Sequence, residues 1–267
     1  MVTVIKIGGS LMAESVDFNA LRTIIDHEPG SCVIVHGGGP SVSRLCERLG
    51  ISPSFVTSPG GIRSRYTDME TMKAFIMAMR GQISTDIVTG LQKAGVRAAG
   101  ISGTDGPTLV AERKRKLMTA GPQGRRIMIE GGYTGKITRA DPDLIVSILN
   151  LGIIPVVSPI AISTEFEPLN IDGDRAAAAI AGALKADRLL LLTNVDGVIL
   201  EDKVVHHMTL AEVPSYMERV GNGMDRKLMS AREALQEGCM RVIILNGEAS
   251  KIKDYVENKE VGTVISP

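Results

Sequence analysis

Short, continuously apolar runs of strand length punctuate the chain at residues 2–7, 32–35, 98–101, 153–157, 189–192 and 242–245. Between them lie stretches with apolar residues at helical spacing, clearest at 41–49, 68–80, 141–149, 174–184 and 225–237. Strands that are apolar throughout, rather than at alternate positions, need cover on both faces, and helices placed between them supply it. The pattern therefore predicts an α/β fold, a three-layer sandwich with a mainly parallel central sheet. Asp68 and Asp141 stand where helix N-caps are wanted, and Pro142 follows Asp141 at the first helical position. Residues 108–136 break the alternation. They are rich in Arg, Lys and Gly, and Gly121-Pro122-Gln123-Gly124 reads as the turn of a β-hairpin projecting from the main sheet. No internal repeat or low-complexity linker divides the chain, so the expectation is a single domain spanning 1–267, with two lobes at about 1–170 and 171–267.

Composition narrows this picture in two ways. Thirty acidic residues balance thirty basic ones in 267, which argues against nucleic-acid binding as the main task. No apolar run reaches the ~20 residues of a membrane span, and the first residues lack a signal peptide's apolar core, so a cytoplasmic protein is expected. Cys32, Cys46 and Cys239 have no metal-ligand spacing and read as packing residues of a reducing compartment. No resident metal site is expected.

Five segments carry candidate chemistry. Lys6-Ile7-Gly8-Gly9-Ser10 ends the first strand, where two glycines let backbone amides approach an anion and Lys6 adds a point charge. His36-Gly37-Gly38-Gly39-Pro40 joins the second strand to a helix, whose N-terminus attracts anions. Each could be no more than a tight turn; two at the carboxyl ends of neighbouring strands favour phosphate. Neither fits a Walker A loop, and Gly-x-Gly-x-x-Gly does not follow the first strand. Asn170, Asp172 and Asp174 open an Ala-rich helix at two-residue spacing, and capping accounts for only one of the two carboxylates. Leu192-Thr193-Asn194-Val195-Asp196-Gly197 is a strand with a polar turn, plain enough on its own. Gly223-Met224-Asp225-Arg226-Lys227 places a lysine in a first helical turn, against the macrodipole, although Asp225 could offset it.

The order of these motifs resembles the amino acid kinase family, acetylglutamate kinases in particular, over about residues 4–264. The resemblance implies phosphorylation of a carboxylate by ATP, with Mg2+ held through the nucleotide phosphates. It matches Lys6, Lys227 and Asp174 to the catalytic lysines and their organising aspartate. It matches Gly8 and Gly9, with Thr193, Asp196 and Gly197, to the nucleotide side, and Gly38, Gly39, Arg65 and Asn170 to the acceptor. Arg63 lies near enough to be confused with Arg65. Asp172 stands where many acetylglutamate kinases carry Asn. A carboxylate acceptor is already ionised at neutral pH and needs no general base.

The segments 61–68, 111–116 and 129–136 look like those of [LysW]-aminoadipate and bifunctional [LysW]-glutamate kinases. In that branch the acceptor, 2-aminoadipate or glutamate, is attached by its amino group to a small acidic carrier protein, and the acyl phosphate serves lysine and arginine biosynthesis. Arg113, Lys114, Arg115, Lys116, Arg125 and Arg126 gather on the two arms of the proposed hairpin, and such a local excess would steer an acidic partner. A solvated, highly charged hairpin is the plain alternative. The competing functions are an N-acetylglutamate kinase acting on the free substrate and a non-catalytic nucleotide-binding or sensor protein. The resemblance also implies a homodimer through the first lobe, and Met69, Met72, Phe75, Ile76 and Met79 form an apolar stripe suited to an interface or to the core.

Overall fold

Successive side chains of the first strand, Val2–Ile7, enter two separate cores: Val4 one, Ile5 and Ile7 the other. The same alternation divides Val33 and Val35 from Cys32 and Ile34, and Leu189 and Leu191 from Leu190 and Leu192. A strand buried on both faces is the reason for the unbroken apolar runs. The computed structural model describes residues 1–14, 16–28, 30–61, 63–120, 125–221 and 223–267.

The main sheet has eight strands in the spatial order His207–Thr209, Thr263–Ser266, Val242–Asn246, Arg188–Thr193, Val2–Ile7, Ser31–His36, Ile154–Ser158 and Ala98–Ser102. From Val242–Asn246 to Ala98–Ser102 every pairing is parallel; Thr263–Ser266 runs antiparallel to Val242–Asn246. One face is covered by helices Asp143–Asn150, Gly173–Ala183 and Met224–Gln236, the other by Phe18–His27, Gly39–Arg48, Ala249–Val256 and the helical run from Met69 to Lys93. This is the three-layer sandwich expected from the sequence. Gly173–Ala183 lies close on the sheet because Ala176, Ala177, Ala178 and Ala181 present so little bulk there. Among the described residues no helix is long and apolar enough to cross a membrane.

Several local expectations change. The helix expected over 68–80 is capped by Asp68, which accepts from Thr71 N at 2.8 Å, but it continues well beyond Arg80. Helix Met69–Ile76 passes into a π-helical stretch, Met77–Ile83, where Ser84 N reaches back five residues to Met79 O, and then into helix Ser84–Lys93. The apolar stripe is mostly core: Met72, Phe75 and Met79 are buried, while Met69 stays exposed. The helix expected from Asp141 starts two residues later, with Pro142 at the cap and the Asp141 carboxylate accepting from Asp143 N. Cys32, Cys46 and Cys239 are buried and free.

The basic segment forms one long kinked hairpin. Its base pairs Leu109–Arg113 with Gly135–Ala140 in a four-stranded sheet that also contains Ile160–Ile162 and Pro168–Asn170. Its tip pairs Lys116–Ala120 with Arg126–Glu130. The expected turn at Gly121–Gly124 lies outside the described residues. A second small hairpin, Phe55–Thr57 with Arg63–Arg65, touches the tip, where Thr119 Oγ1 donates to Thr57 O.

Candidate active site

The first and second strands are neighbours, so both glycine loops leave the same edge of the sheet. Their backbones meet. A Cβ on Gly9 would lie 3.0 Å from Gly38 N, and one on Gly37 would lie 2.9 Å from Gly9 N. Gly38 has a second constraint from beneath, since its Cβ would fall 2.2 Å from Ile83 Cδ1 and 2.9 Å from Met79 Sδ, both in the π-helical stretch. The loops therefore depend on glycine for close approach; the Gly8 and Gly37 amides donate to Leu192 O and Ile7 O, and those of Gly9, Gly38 and Gly39, at helix starts, are the ones an anion could use.

Under the loops stands a charge cluster built from three elements. Lys6, near the end of the first strand, meets Asp174 Oδ1 at 2.5 Å. Lys227, in the first turn of Met224–Gln236, meets Asp174 Oδ2 at 3.1 Å. Asp174 itself lies in the first turn of Gly173–Ala183, held by the Asp172 cap, whose Oδ1 accepts from the amides of Asp174 and Arg175. Burial alone would raise the Asp174 pKa, but the charges of Lys6 and Lys227 outweigh it and hold the carboxyl well below the usual range. Lys227 is pushed down from the ordinary lysine value, first by burial and then by the charge of Lys6. Two cations around one anion leave a net positive charge in a largely dry site, as a phosphoryl group would require.

Two cavities meet at this cluster, both lined by Lys6, Gly9, Asp174 and Arg226. One, of about 550 Å³, extends past Gly8, Thr193, Gly197 and Lys227 to a shelf of Ile199, Val220 and Met224. The other, of about 1340 Å³, runs past Gly38, Gly39, Arg65 and Asn170. Arg65 is oriented by Nη2, which donates to Gly39 O at 2.9 Å and Ser43 Oγ at 2.7 Å. Its buried Nη1 has no hydrogen-bond partner among the described residues, an arrangement that favours an incoming acceptor. Arg63 stacks over the Phe55 ring at 4.1 Å, and Arg65 lies 4.9 Å from the same ring. Asn170 donates from Nδ2 to Thr67 Oγ1.

Two sequence-selected residues face elsewhere. Asp196 turns away from the first cavity to accept from Asn246 Nδ2 and pair with Lys251. His36 is fully buried, and burial pushes its imidazole down to about 4, so it is neutral at pH 7 and adds no charge to the loop. Of the six basic hairpin residues, Arg113 is tied to Glu167 and Gly132 O and stacked on Tyr133, and Arg115 pairs with Glu165. Lys116, Arg125 and Arg126 are exposed, whereas Lys114 is half-buried and lines the larger cavity. Sequence reasoning missed Arg226, which donates to Arg63 O at 2.5 Å and lies 3.7 Å from Asp172. Its place beside Lys227 was the available signal. It also missed the apolar shelf, whose members are too far apart in sequence to register as a motif.

One cavity with an apolar shelf, another with an arginine whose Nη1 lacks a partner among the described residues, and paired cations between them suit in-line transfer of a phosphoryl group. The class so defined is a kinase. The model of the amino acid kinase family matches residues 1–246, and the chain belongs to that family and is an ATP-dependent kinase. It is 49% identical over 247 residues, 92% of each chain, to a putative [LysW]-aminoadipate/[LysW]-glutamate kinase of Cenarchaeum symbiosum. It is 43% identical over 265 residues, 98% of each chain, to the [LysW]-aminoadipate/[LysW]-glutamate kinase of Saccharolobus solfataricus. Among solved structures it resembles the smu.665 protein of Streptococcus mutans, with TM-score 0.78 and 25% identity, over 99% of this chain and 98% of that one.

Proposed function

We propose that the protein transfers the γ-phosphoryl group of ATP to the side-chain carboxylate of 2-aminoadipate, and of glutamate, carried on an amino-group carrier protein of the LysW type. The product is an acyl phosphate for lysine and arginine biosynthesis. The observation that carries this reading is Asp174 bridging Lys6 and Lys227 where the two cavities meet, in a chain 41–49% identical to kinases named for such acceptors.

In this reading the cavity with the apolar shelf holds ATP and the one with Arg65 holds the acceptor. The lobes divide at about residue 170, acceptor before and nucleotide after. Lys6 neutralises the transferring phosphoryl group, Lys227 the departing ADP oxygens, and Asp174 sets the spacing of the two ammoniums. Gly8 lets the phosphates approach the loop closely and Gly9 brings its amide to them, and Gly38 and Gly39 bring theirs to the attacking carboxylate. Arg65 Nη1 takes the acceptor's α-carboxylate and Asn170 its amide. Among the described residues no group of three or more His, Cys, Asp or Glu side chains is placed to hold a metal ion. Mg2+ would enter held by the ATP phosphates and would supply further charge neutralisation there. Thr193 and Gly197 bound the nucleotide cavity, whereas Asp196 acts indirectly by anchoring its turn to Asn246 and Lys251. The enzyme is taken to work in the cytoplasm as a homodimer.

The test is ATP turnover with three acceptors: carrier-linked aminoadipate, carrier-linked glutamate and free N-acetylglutamate. A clear kcat/KM preference for the linked acceptors is expected. Efficient use of N-acetylglutamate with no turnover of either linked acceptor would sink the reading.

A further inference from the structure

The larger cavity contains more cations than the proposed reaction uses. Arg175 is satisfied by a bidentate pair with Glu233, Nε at 3.0 Å and Nη2 at 2.5 Å. Lys185 donates to Glu237 O, Arg139 pairs with Asp141, and Arg226 is shared between Arg63 O and Asp172. Arg65 serves the acceptor. Arg63 is stacked on the Phe55 ring. That leaves Lys114 and Lys136, both on the cavity wall, and neither ammonium has a hydrogen bond or ion pair among the described residues.

Lys114 is the more informative of the two. It lies at the kink of the long hairpin, where Lys114 N donates to Thr134 O and Gly131 N donates to Arg115 O. These bonds fix the kink, in which Lys114 lines the cavity while Arg113 and Arg115 face Glu167 and Glu165. The charges that act on it are those of Arg175 and Lys136 and the carboxylate of Asp172, already occupied as a helix cap and beside Arg226. Half-burying an ammonium among other cations is unfavourable unless an anion arrives. The phosphoryl group is met by Lys6 and Lys227, and the α-carboxylate by Arg65.

We infer that Lys114, supported by Lys136, binds a third anionic group, a carboxylate carried on the moiety that acylates the acceptor's amino nitrogen. This rests on the proposed function and narrows it. An acetyl group is uncharged and would leave Lys114 without a partner. A linking residue that retains a free carboxylate beside the new amide would satisfy it. Lys114 is then a specificity residue that discriminates a charged acyl group from a neutral one, inside the cavity rather than on the outer docking face.

The test compares two substrates on wild type and Lys114→Met: carrier-linked aminoadipate, and the same conjugate with the linking residue's free carboxylate converted to a primary carboxamide. A charge-assisted contact of this kind predicts that wild type has about 10- to 100-fold higher KM for the carboxamide. Lys114→Met should treat the two conjugates nearly alike, with kcat little changed, and Lys114→Arg should restore much of the preference. If Lys114→Met keeps the full wild-type discrimination, or wild type shows none, the inference is overturned. Failure of wild type to phosphorylate either conjugate would instead refute the proposed function beneath it.

Discussion

Asp174 carries the electrostatics of the site because it is the only carboxylate, among the described residues, within ion-pair distance of either Lys6 or Lys227. Removing one preorganised cation from phosphoryl transfer typically costs about 10²–10³ in rate. Lys6→Ala should therefore lose at least that much kcat while keeping its far-UV circular dichroism; retained turnover would refute the role. Asp174→Asn should have two separable effects. Lys227 is already depressed by burial and by Lys6. Without the carboxylate it should depress further, moving the alkaline limb of the kcat profile to lower pH. The second effect concerns stability. A carboxyl held below its unfolded value stabilises the fold above about pH 4 and loses that contribution as pH falls towards its depressed value. Urea midpoints at pH 7 and pH 3 should show a smaller acid loss for the variant. These three residues were legible as chemistry because lysine, glycine and aspartate stood at strand ends and helix starts. Asp196 was selected by the same logic and faces Asn246, because a sequence gives the position of a turn but not the side to which its carboxylate points.

At the scale of elements, six of the eight main-sheet strands were legible to within a residue or so because burial on both faces makes them apolar throughout, whereas His207–Thr209 and Thr263–Ser266 went unread. Helix Phe18–His27 went unrecognised although Asp17 caps it by accepting from Asn19 N and Ala20 N. The π-helical stretch was also invisible: Gly81 and Gln82 interrupt the helical periodicity, and what sustains the run is tertiary packing rather than propensity. Its consequence is steric. Ile83 and Met79 press against Gly38 from below, so Gly38→Ala should displace the loop and reduce kcat/KM about 10- to 100-fold, the usual result of ~1 Å misplacement at a reacting centre. Ile83→Ala vacates the conflicting volume, and the double variant should recover part of the loss. A double variant no better than Gly38→Ala alone would show that the clash is not the cause.

The whole molecule is held together away from the site by Glu28, whose side chain is fully buried and accepts from Thr3 Oγ1, Arg188 and Tyr255 Oη. It joins two central strands to the last helix, Ala249–Val256. Glu28→Ala should cost about 3–5 kcal/mol in chemical denaturation, since it leaves a charge and two hydroxyls without their shared acceptor, with kcat nearly unchanged. The balanced net charge hides a local surface: Lys116, Arg125 and Arg126 are exposed at the hairpin tip, whereas Arg113 and Arg115 are already compensated. Neutralising the exposed three should raise KM for a carrier-linked acceptor and flatten its salt dependence; neutralising Arg115 should do less. Which basic residues were free could not be read from the sequence, because Glu165 and Glu167 arrive from some fifty residues away. The first strand lies at the centre of the main sheet, between Ser31–His36 and Arg188–Thr193. During synthesis it emerges well before its partner Arg188–Thr193, so one of its edges stays open while about 180 further residues are made. That apolar edge thus stays unpaired through a long stretch of translation, and slow synthesis or chaperone shortage should affect yield well before it affects the folded enzyme.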